Sequence, residues 1–298
     1  MVQTYKTAVI GLGSMGYGMA QSCLRAGHPT WGIDINADAA SRFRAEGGQP
    51  GDLPDDLNAV AVVVLNAAQT EAVLFGASGI AARLAPGAVV VSCATVAPAF
   101  AREMEARCAD LGLLYLDAPI SGGSAKAALG ALSVMAAGSP DAFAAARPLL
   151  DACAETVFEL GDKAGPGSAM KSVNQLLAGV HIAAMAEAMT FGMTQGITPE
   201  KFLSVIRNCA GTSWMLENRA PHIVDGDYSP KSQINIWPKD LGIVLDVAKS
   251  AGFSAPITAA ALQQYMVAVG MGLGPEDDAA IAKVYARNVG LTLPKAKE

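Results

Sequence analysis

The sequence predicts an α/β fold, with an N-terminal doubly wound parallel sheet followed by an all-helical C-terminal domain. Three observations predict it. The first is the stretch Thr7–Ala20, T-A-V-I-G-L-G-S-M-G-Y-G-M-A, a short apolar run followed by glycines at G-x-G-x-x-G spacing. The second is the alternation of short Val/Ala/Leu-rich runs with helix-compatible segments as far as Leu160. The third is the loss of strand character beyond that point, where Ala, Met and Leu recur at helical spacing. Runs that are apolar without polar alternation are what a parallel sheet covered on both faces requires.

Met1–Lys6 is a polar lead-in. Thr7–Gly11 is the first strand and Met15–Ala26 the first helix. The glycine spacing between them is the fingerprint of a dinucleotide-binding turn. Gly11 permits the tight turn, Gly13 lets backbone approach a pyrophosphate, and Gly16 lets the helix pack on the strand. Leu12, Ser14 and Met15 complete the turn, and the helix start offers N–H groups and the positive dipole end to an anion. A second strand, Thr30–Asp34, ends in an acid about 20 residues past the glycines, where a carboxylate accepts from a ribose hydroxyl. Asp34 would repel a 2′-phosphate, and Ile35 and Asn36 supply no arginine in its place. The cofactor predicted is therefore NAD.

Ala37–Glu46 reads as a helix and Gly47–Asp56 as a Gly/Pro/Asp loop. Ala59–Leu65 is a buried strand, followed by helical pieces at Gln69–Phe75 and Gly79–Leu84. Ala88–Cys93 is the next strand, and a helix runs over Pro98–Cys108. Leu113–Asp117, Leu132–Ala136 and Thr156–Leu160 complete the strand series. Ligands of such sheets sit beyond the carboxyl ends of strands, which singles out Leu65–Asn66, Thr95 and the Asp117–Gly123 turn. The Gly161–Gly165 passage marks a boundary, giving domains 1–163 and 164–298. The tail Leu293–Glu298 is expected to fray.

With 298 residues and a hydrophobic fraction of 52%, the chain can bury a core large enough for two domains. A net charge of −6 makes nucleic acid and anionic membrane surfaces poor partners. Mean hydropathy is +0.32, yet the uncharged windows contain Pro, Gly, Asn, Gln or His, and none reads as a membrane span. Gly11–Gly18 interrupts any apolar leader, so a cytoplasmic protein is expected. Cys23, Cys93, Cys108, Cys153 and Cys209 are scattered and odd in number, which fits buried thiols rather than disulfides or a metal site. His28, His181 and His222 lack metal spacing, so no metal is expected.

Between Lys163 and Glu187 the one charged residue is Lys171, set in an apolar helical stretch. Surface lysines are the common case, but apolar flanks nearly all round argue for burial. Desolvation lowers the pKa of such an amine and makes it a poised proton acceptor. Asn174 and Gln175, at i+3 and i+4, share its face. Ser121, Gly122 and Gly123 form a strand-end turn whose N–H groups suit a carboxylate. Lys239 and Asp240 open a further helix running to about Ser250, where spacing alone reads as a solvated helix start.

In this order the segments resemble the beta-hydroxyacid dehydrogenase family, which includes 3-hydroxyisobutyrate dehydrogenase and tartronate semialdehyde reductase. The matching stretches are G-L-G-S-M-G-Y-G-M-A, D-A-P-I-S-G-G-S-A-K-A-A-L-G-A-L-S-V-M-A-A-G, G-P-G-S-A-M-K-S-V-N-Q and K-D-L-G-I-V-L-D-V-A. The resemblance spans nearly the whole chain. It implies a Rossmann domain and a helical domain joined by one long helix, with Lys171 as the catalytic lysine. It implies a substrate carboxylate at Ser121–Gly123, with Asn174, Gln175 and Asp240 on the substrate side. NAD is implied near Leu65, Asn66, Thr70, Thr95 and Lys239. Gln175 stands where the family commonly has Asn. That departure, with N-Q-L-L-A-G-V-H and N-R-A-P-H at Asn218–His222, is similar to the L-threonate dehydrogenase branch, which oxidises the C2 hydroxyl of a four-carbon sugar acid. 3-Hydroxyisobutyrate dehydrogenase and tartronate semialdehyde reductase activities are the alternatives, and an imine reductase-like enzyme or a non-catalytic NAD sensor stands further off. A homodimer or homotetramer is expected, because a long Ala/Met-rich helix must cover its apolar face.

Overall fold

The computed structural model describes residues 4–296. Strand β1 (Thr7–Ile10) leads into α1 (Gly16–Arg25), followed by β2 (Thr30–Ile33), α2 (Ala37–Ala45), β3 (Ala59–Val62), α3 (Ala67–Phe75), β4 (Val89–Ser92), α4 (Pro98–Ala109) and β5 (Leu114–Asp117). These strands form one parallel sheet in the order β2-β1-β3-β4-β5. Side chains alternate across it, and the alternation divides the core. Val9, Ala59, Ala61, Val89 and Val91 face α1 residues such as Met19 and Cys23. Ala8, Ile10, Val60, Val62 and Val90 face Leu74 of α3 and Met104 of α4. Both faces are covered, so the strands read as unbroken apolar runs in the sequence.

The chain then forms β6 (Ile120–Ser121), α5 (Gly123–Leu129), β7 (Leu132–Ala136), α6 (Pro140–Cys153) and β8 (Ala154–Glu159). The segments read as the last two strands of the series lie here, in a separate sheet of order β6-β7-β8. An isolated antiparallel bridge, Asp117 to Ala137, links the end of β5 to this sheet. Asp117–Ala137, Ile120–Val134 and Ser121–Ser133 share one antiparallel register, so the chain runs on from β5 into β6, and β7, returning after α5, pairs with that extension outside the parallel series.

Helix α7 (Pro166–Thr194) follows, 29 residues long, and leads into α8 (Pro199–Ile206), α9 (Trp214–Asp225), α10 (Ile236–Ser250), α11 (Pro256–Gly270) and α12 (Ala282–Asn288). The chain divides into two compact units, Met1–Lys171 and Ser172–Glu298, with the division inside α7. By length and composition α7 could cross a membrane, contrary to the expectation that no uncharged window reads as a span. Its apolar residues Ile182, Met185, Ala186 and Met189 instead form part of the helical core, together with Leu216, Ile223, Trp237, Leu241 and Tyr265.

Two further expectations need correction. Cys23, Cys93, Cys108 and Cys153 are buried thiols, but Cys209 is exposed just past the end of α8. The tail does not fray from its start. Leu293 packs on the helical core, and Lys295 lies close enough to Gly226 that a Cβ there would strike its backbone. Lys297 and Glu298, like Met1–Gln3, lie outside the described residues.

The helical unit also buries two adjacent carboxylates. Asp277 accepts from Nδ1 of His222 at 2.8 Å, and Asp278 pairs with Nε of Arg219 at 2.5 Å and accepts from the Trp237 indole at 3.1 Å. Burial opposes ionisation of Asp277, but the bonds from His222 and from the Ala279 and Lys231 N–H groups hold its carboxyl below the usual range. Burial pushes Asp278 up, against the pull of Arg219. An Arg219→Ala substitution leaves the Asp278 carboxylate buried without its cation. The expected loss of stability is about 3–5 kcal/mol, read as a lowered midpoint in chemical denaturation.

Candidate active site

The glycine turn lies where the strand order reverses, between the carboxyl ends of β1 and β3, the crevice in which such sheets bind ligands. Gly11 has φ +98°, and a Cβ there would enter the van der Waals shell of the Val63 carbonyl. A Cβ on Gly16 would strike the Gly11 carbonyl. Gly13 is different, since a Cβ there meets nothing within 4 Å. Two glycines are thus required by the protein's own packing, and the third is left open, as an approaching pyrophosphate requires. Gly13 and Ser14 are exposed, whereas the Leu12 side chain is buried and only its backbone faces the turn. These residues fit a dinucleotide.

Asp34 holds the turn to the end of β2. Its Oδ2 accepts from the Leu12 N–H at 2.6 Å and its Oδ1 from the Asn36 N–H at 2.7 Å. Asn36 caps α2, a role the sequence reading passed over although Asn before a helical run is its usual signal. At the end of β3, Leu65 is exposed. Asn66 caps α3 by accepting from the Gln69 N–H, and the Gln69 side chain accepts from the Leu65 N–H in return. This reciprocal cap shapes the β3–α3 loop. Thr70 is fully buried and its hydroxyl donates to the Asn66 carbonyl, so its side chain stabilises the first turn of α3 rather than reaching outward. Thr95 follows β4 and is partly exposed.

Lys171 is 8% exposed, and its Nζ donates to the Ile120 carbonyl at 2.9 Å. The lysine is therefore buried as expected, but the helix is not buried all round: Met170, Val173 and Leu177 beside it are exposed, and the burial comes from the one face that meets Ile120. Ser121 ends β6, Gly122 (φ +134°) precedes α5, and Gly123 (φ +73°) begins it. In the same unit, Lys171 thus lies on a carbonyl one residue from the proposed anion turn.

Asn174 and Gln175 continue along α7. Asn174 Nδ2 donates to Gln175 Oε1 at 2.9 Å, and Gln175 Nε2 donates to Asp240 Oδ2 at 2.5 Å. Lys239 Nζ lies 2.6 Å from Asp240 Oδ1. The helices approach closely here because residue 179 is glycine, whose Cβ would otherwise touch Trp237 and Leu241. Spacing alone read Asp240 as a solvated helix start, but α10 begins earlier and Asp240 is 2% exposed. Gln175 has the reach to join Asp240, and an asparagine would be one methylene short.

A parallel sheet with a glycine turn at its switch point, a buried lysine and a helical second unit define the class, a two-domain dehydrogenase that uses a nicotinamide cofactor. Residues 6–161 match the family described as the NAD binding domain of 6-phosphogluconate dehydrogenase. Residues 165–285 match that described as NAD-binding of NADP-dependent 3-hydroxyisobutyrate dehydrogenase. L-threonate dehydrogenase of Cupriavidus necator is 48% identical over 97% of this chain and 98% of its own length. That of Escherichia coli K12 is 45% identical, with 98% of each chain covered. A crystal structure of 3-hydroxyisobutyrate dehydrogenase from Salmonella typhimurium superposes with a TM-score of 0.89 at 44% identity, covering 94% of this chain and 99% of that one. The chain belongs to the 3-hydroxyisobutyrate dehydrogenase-like family of NAD(P)-dependent hydroxyacid dehydrogenases.

The glycine turn separates two effects. Gly11→Ala is expected to destabilise the protein by roughly 1–3 kcal/mol, because a side chain at positive φ also collides with Val63. Gly13→Ala should leave the melting temperature unchanged and weaken cofactor binding at least tenfold by calorimetric titration. Equal destabilisation by both substitutions would contradict this division of roles.

Proposed function

We propose that the protein oxidises the C2 hydroxyl of L-threonate, or a close four-carbon sugar acid, to the 2-oxo acid with NAD, and that Lys171 is the general acid/base. The observation that carries the substrate is Gln175 joined to Asp240, in a chain 45–48% identical to proteins named L-threonate dehydrogenase. A carboxylate and two amides are suited to a polyhydroxylated substrate. 3-Hydroxyisobutyrate, with one hydroxyl, has less use for them.

When bound, the nicotinamide supplies the hydride acceptor. Lys171, in its neutral form, accepts the hydroxyl proton at Nζ, and in the reverse direction donates it. Its bond to the Ile120 carbonyl fixes where Nζ lies. The backbone amides of Ser121–Gly123 bind the carboxylate and orient the carbinol carbon. Asn174, Gln175 and Asp240 accept from or donate to the remaining hydroxyls. Gly11–Gly16 and Asp34 hold the dinucleotide, with Leu65, Asn66, Thr95 and Lys239 toward its nicotinamide half. Asp34 supports NAD over NADP, since a 2′-phosphate beside it would meet like charge. Exposed Phe191, Phe253, Ile257 and Met266 support a homo-oligomer, read by light scattering.

The test is an initial-rate panel of L-threonate, D-threonate, the erythronates, 3-hydroxyisobutyrate and glycerate, following NADH formation. L-threonate should dominate. Dominance of 3-hydroxyisobutyrate would overturn the tetronate reading and leave the family intact. Lys171→Ala should lower kcat by about 10²- to 10⁴-fold with NADH still bound. Asp34→Ser should shift the NAD to NADP ratio of kcat/KM by about 10- to 100-fold toward NADP, the equivalent of one charge-assisted hydrogen bond.

A further inference from the structure

Asp117 is not used by the proposed chemistry, yet it is 1% exposed and binds the start of the helix that carries Lys171. Its Oδ2 accepts from the Gly165 N–H at 2.9 Å and the Ser168 N–H at 2.8 Å, and its Oδ1 accepts from the Ser168 hydroxyl at 2.6 Å. A Cβ on Gly167 would run into the Asp117 and Met135 carbonyls, so the first turn of α7 lies against the end of β5 with no room to shift. Three residues beyond Asp117, the Ile120 carbonyl receives Lys171 Nζ. One short segment, Asp117–Ile120, therefore holds both ends of the lysine, its backbone through Ser168 and its amine through Ile120.

We propose that Asp117 is a positioning residue for Lys171, fixing the register and rotation of the first turn of α7 so that Nζ meets the Ile120 carbonyl. This rests on the reading of Lys171 as general acid/base. The orphan N–H groups of a helix start must be satisfied, and at a buried start water cannot do so. A carboxylate offers acceptors only, matching two N–H donors on one oxygen and a hydroxyl on the other. Burial pushes the Asp117 carboxyl up, and the Ser168 and Gly165 bonds pull it back. The clamp is geometric, so an amide can replace it. In the Asp117→Asn variant the amide oxygen would take both N–H groups, and the Ser168 hydroxyl would turn to accept from the amide nitrogen.

The experiment compares Asp117→Ala, Asp117→Asn, Ser168→Ala and Lys171→Ala, with folding checked by circular dichroism and NADH affinity by fluorescence titration. Asp117→Ala should lower kcat on the order of 100-fold, the cost of a misplaced catalytic group, with KM and NADH affinity within a few-fold. Asp117→Asn should recover most of that loss. Ser168→Ala, which removes only the hydroxyl bond, should show a smaller loss in kcat with KM unchanged, and it carries the test if Asp117→Ala does not fold. In a Lys171→Ala background, Asp117→Ala should cost little more, because residues acting as a unit are not additive. Three results would each overturn the proposal: normal kcat in both Asp117→Ala and Ser168→Ala, Asp117→Asn as impaired as Asp117→Ala, or losses that multiply in the double variant. If Lys171→Ala alone keeps native turnover, the lysine reading fails instead, and the two failures are distinguishable.

Discussion

The structure depends on how a long apolar helix begins inside the protein. The first N–H groups of α7 have no partners within the helix, and they lie where solvent cannot reach. A carboxylate at the end of β5 answers both needs at once, satisfying the donors and placing negative charge at the positive end of the dipole. The location of that carboxylate follows from the parallel sheet, because Asp117 is the last residue of β5, where the chain runs on into β6. Sheet register is thereby transmitted into the position of Lys171.

A second constraint acts at the switch in strand order. Gly11 and Gly16 are forced by contacts between the protein's own backbone segments, and Gly13 is not. Asp34 and the reciprocal Asn66–Gln69 cap hold the adjoining loops through backbone N–H groups. Side chains read as ligand groups therefore also shape the loops, and their substitution would alter loop geometry as well as contacts.

In the helical unit, buried charge is tolerated because each carboxylate has defined partners. Asp240 has Gln175 and Lys239, Asp277 has His222 and three backbone donors, and Asp278 has Arg219 and Trp237. Unpaired, any of them would cost several kcal/mol. Through these pairings α9 and α10 are tied to Asp277 and Asp278, and α10 to α7.

The sequence by itself determined the parallel sheet, the glycine turn with Asp34 at the end of β2, the burial of Lys171 on an apolar helix and the helical character of the chain after it. Those features are local in the chain, being periodicity, spacing and the cost of a charge among apolar neighbours. Only tertiary structure decided that β7 and β8 leave the main sheet, because an antiparallel return onto the extension of β5 has no distinctive period. It likewise decided that Thr70 turns inward, that Asp240 is buried beside Gln175, and that Asp117 anchors α7. Each of the last two facts is a contact between residues far apart in sequence: Asp117 and Ser168 are separated by 51 positions, and Gln175 and Asp240 by 65. Hydrogen bonds of that range leave no spacing to read, since the geometry that makes them exists only when the elements have packed.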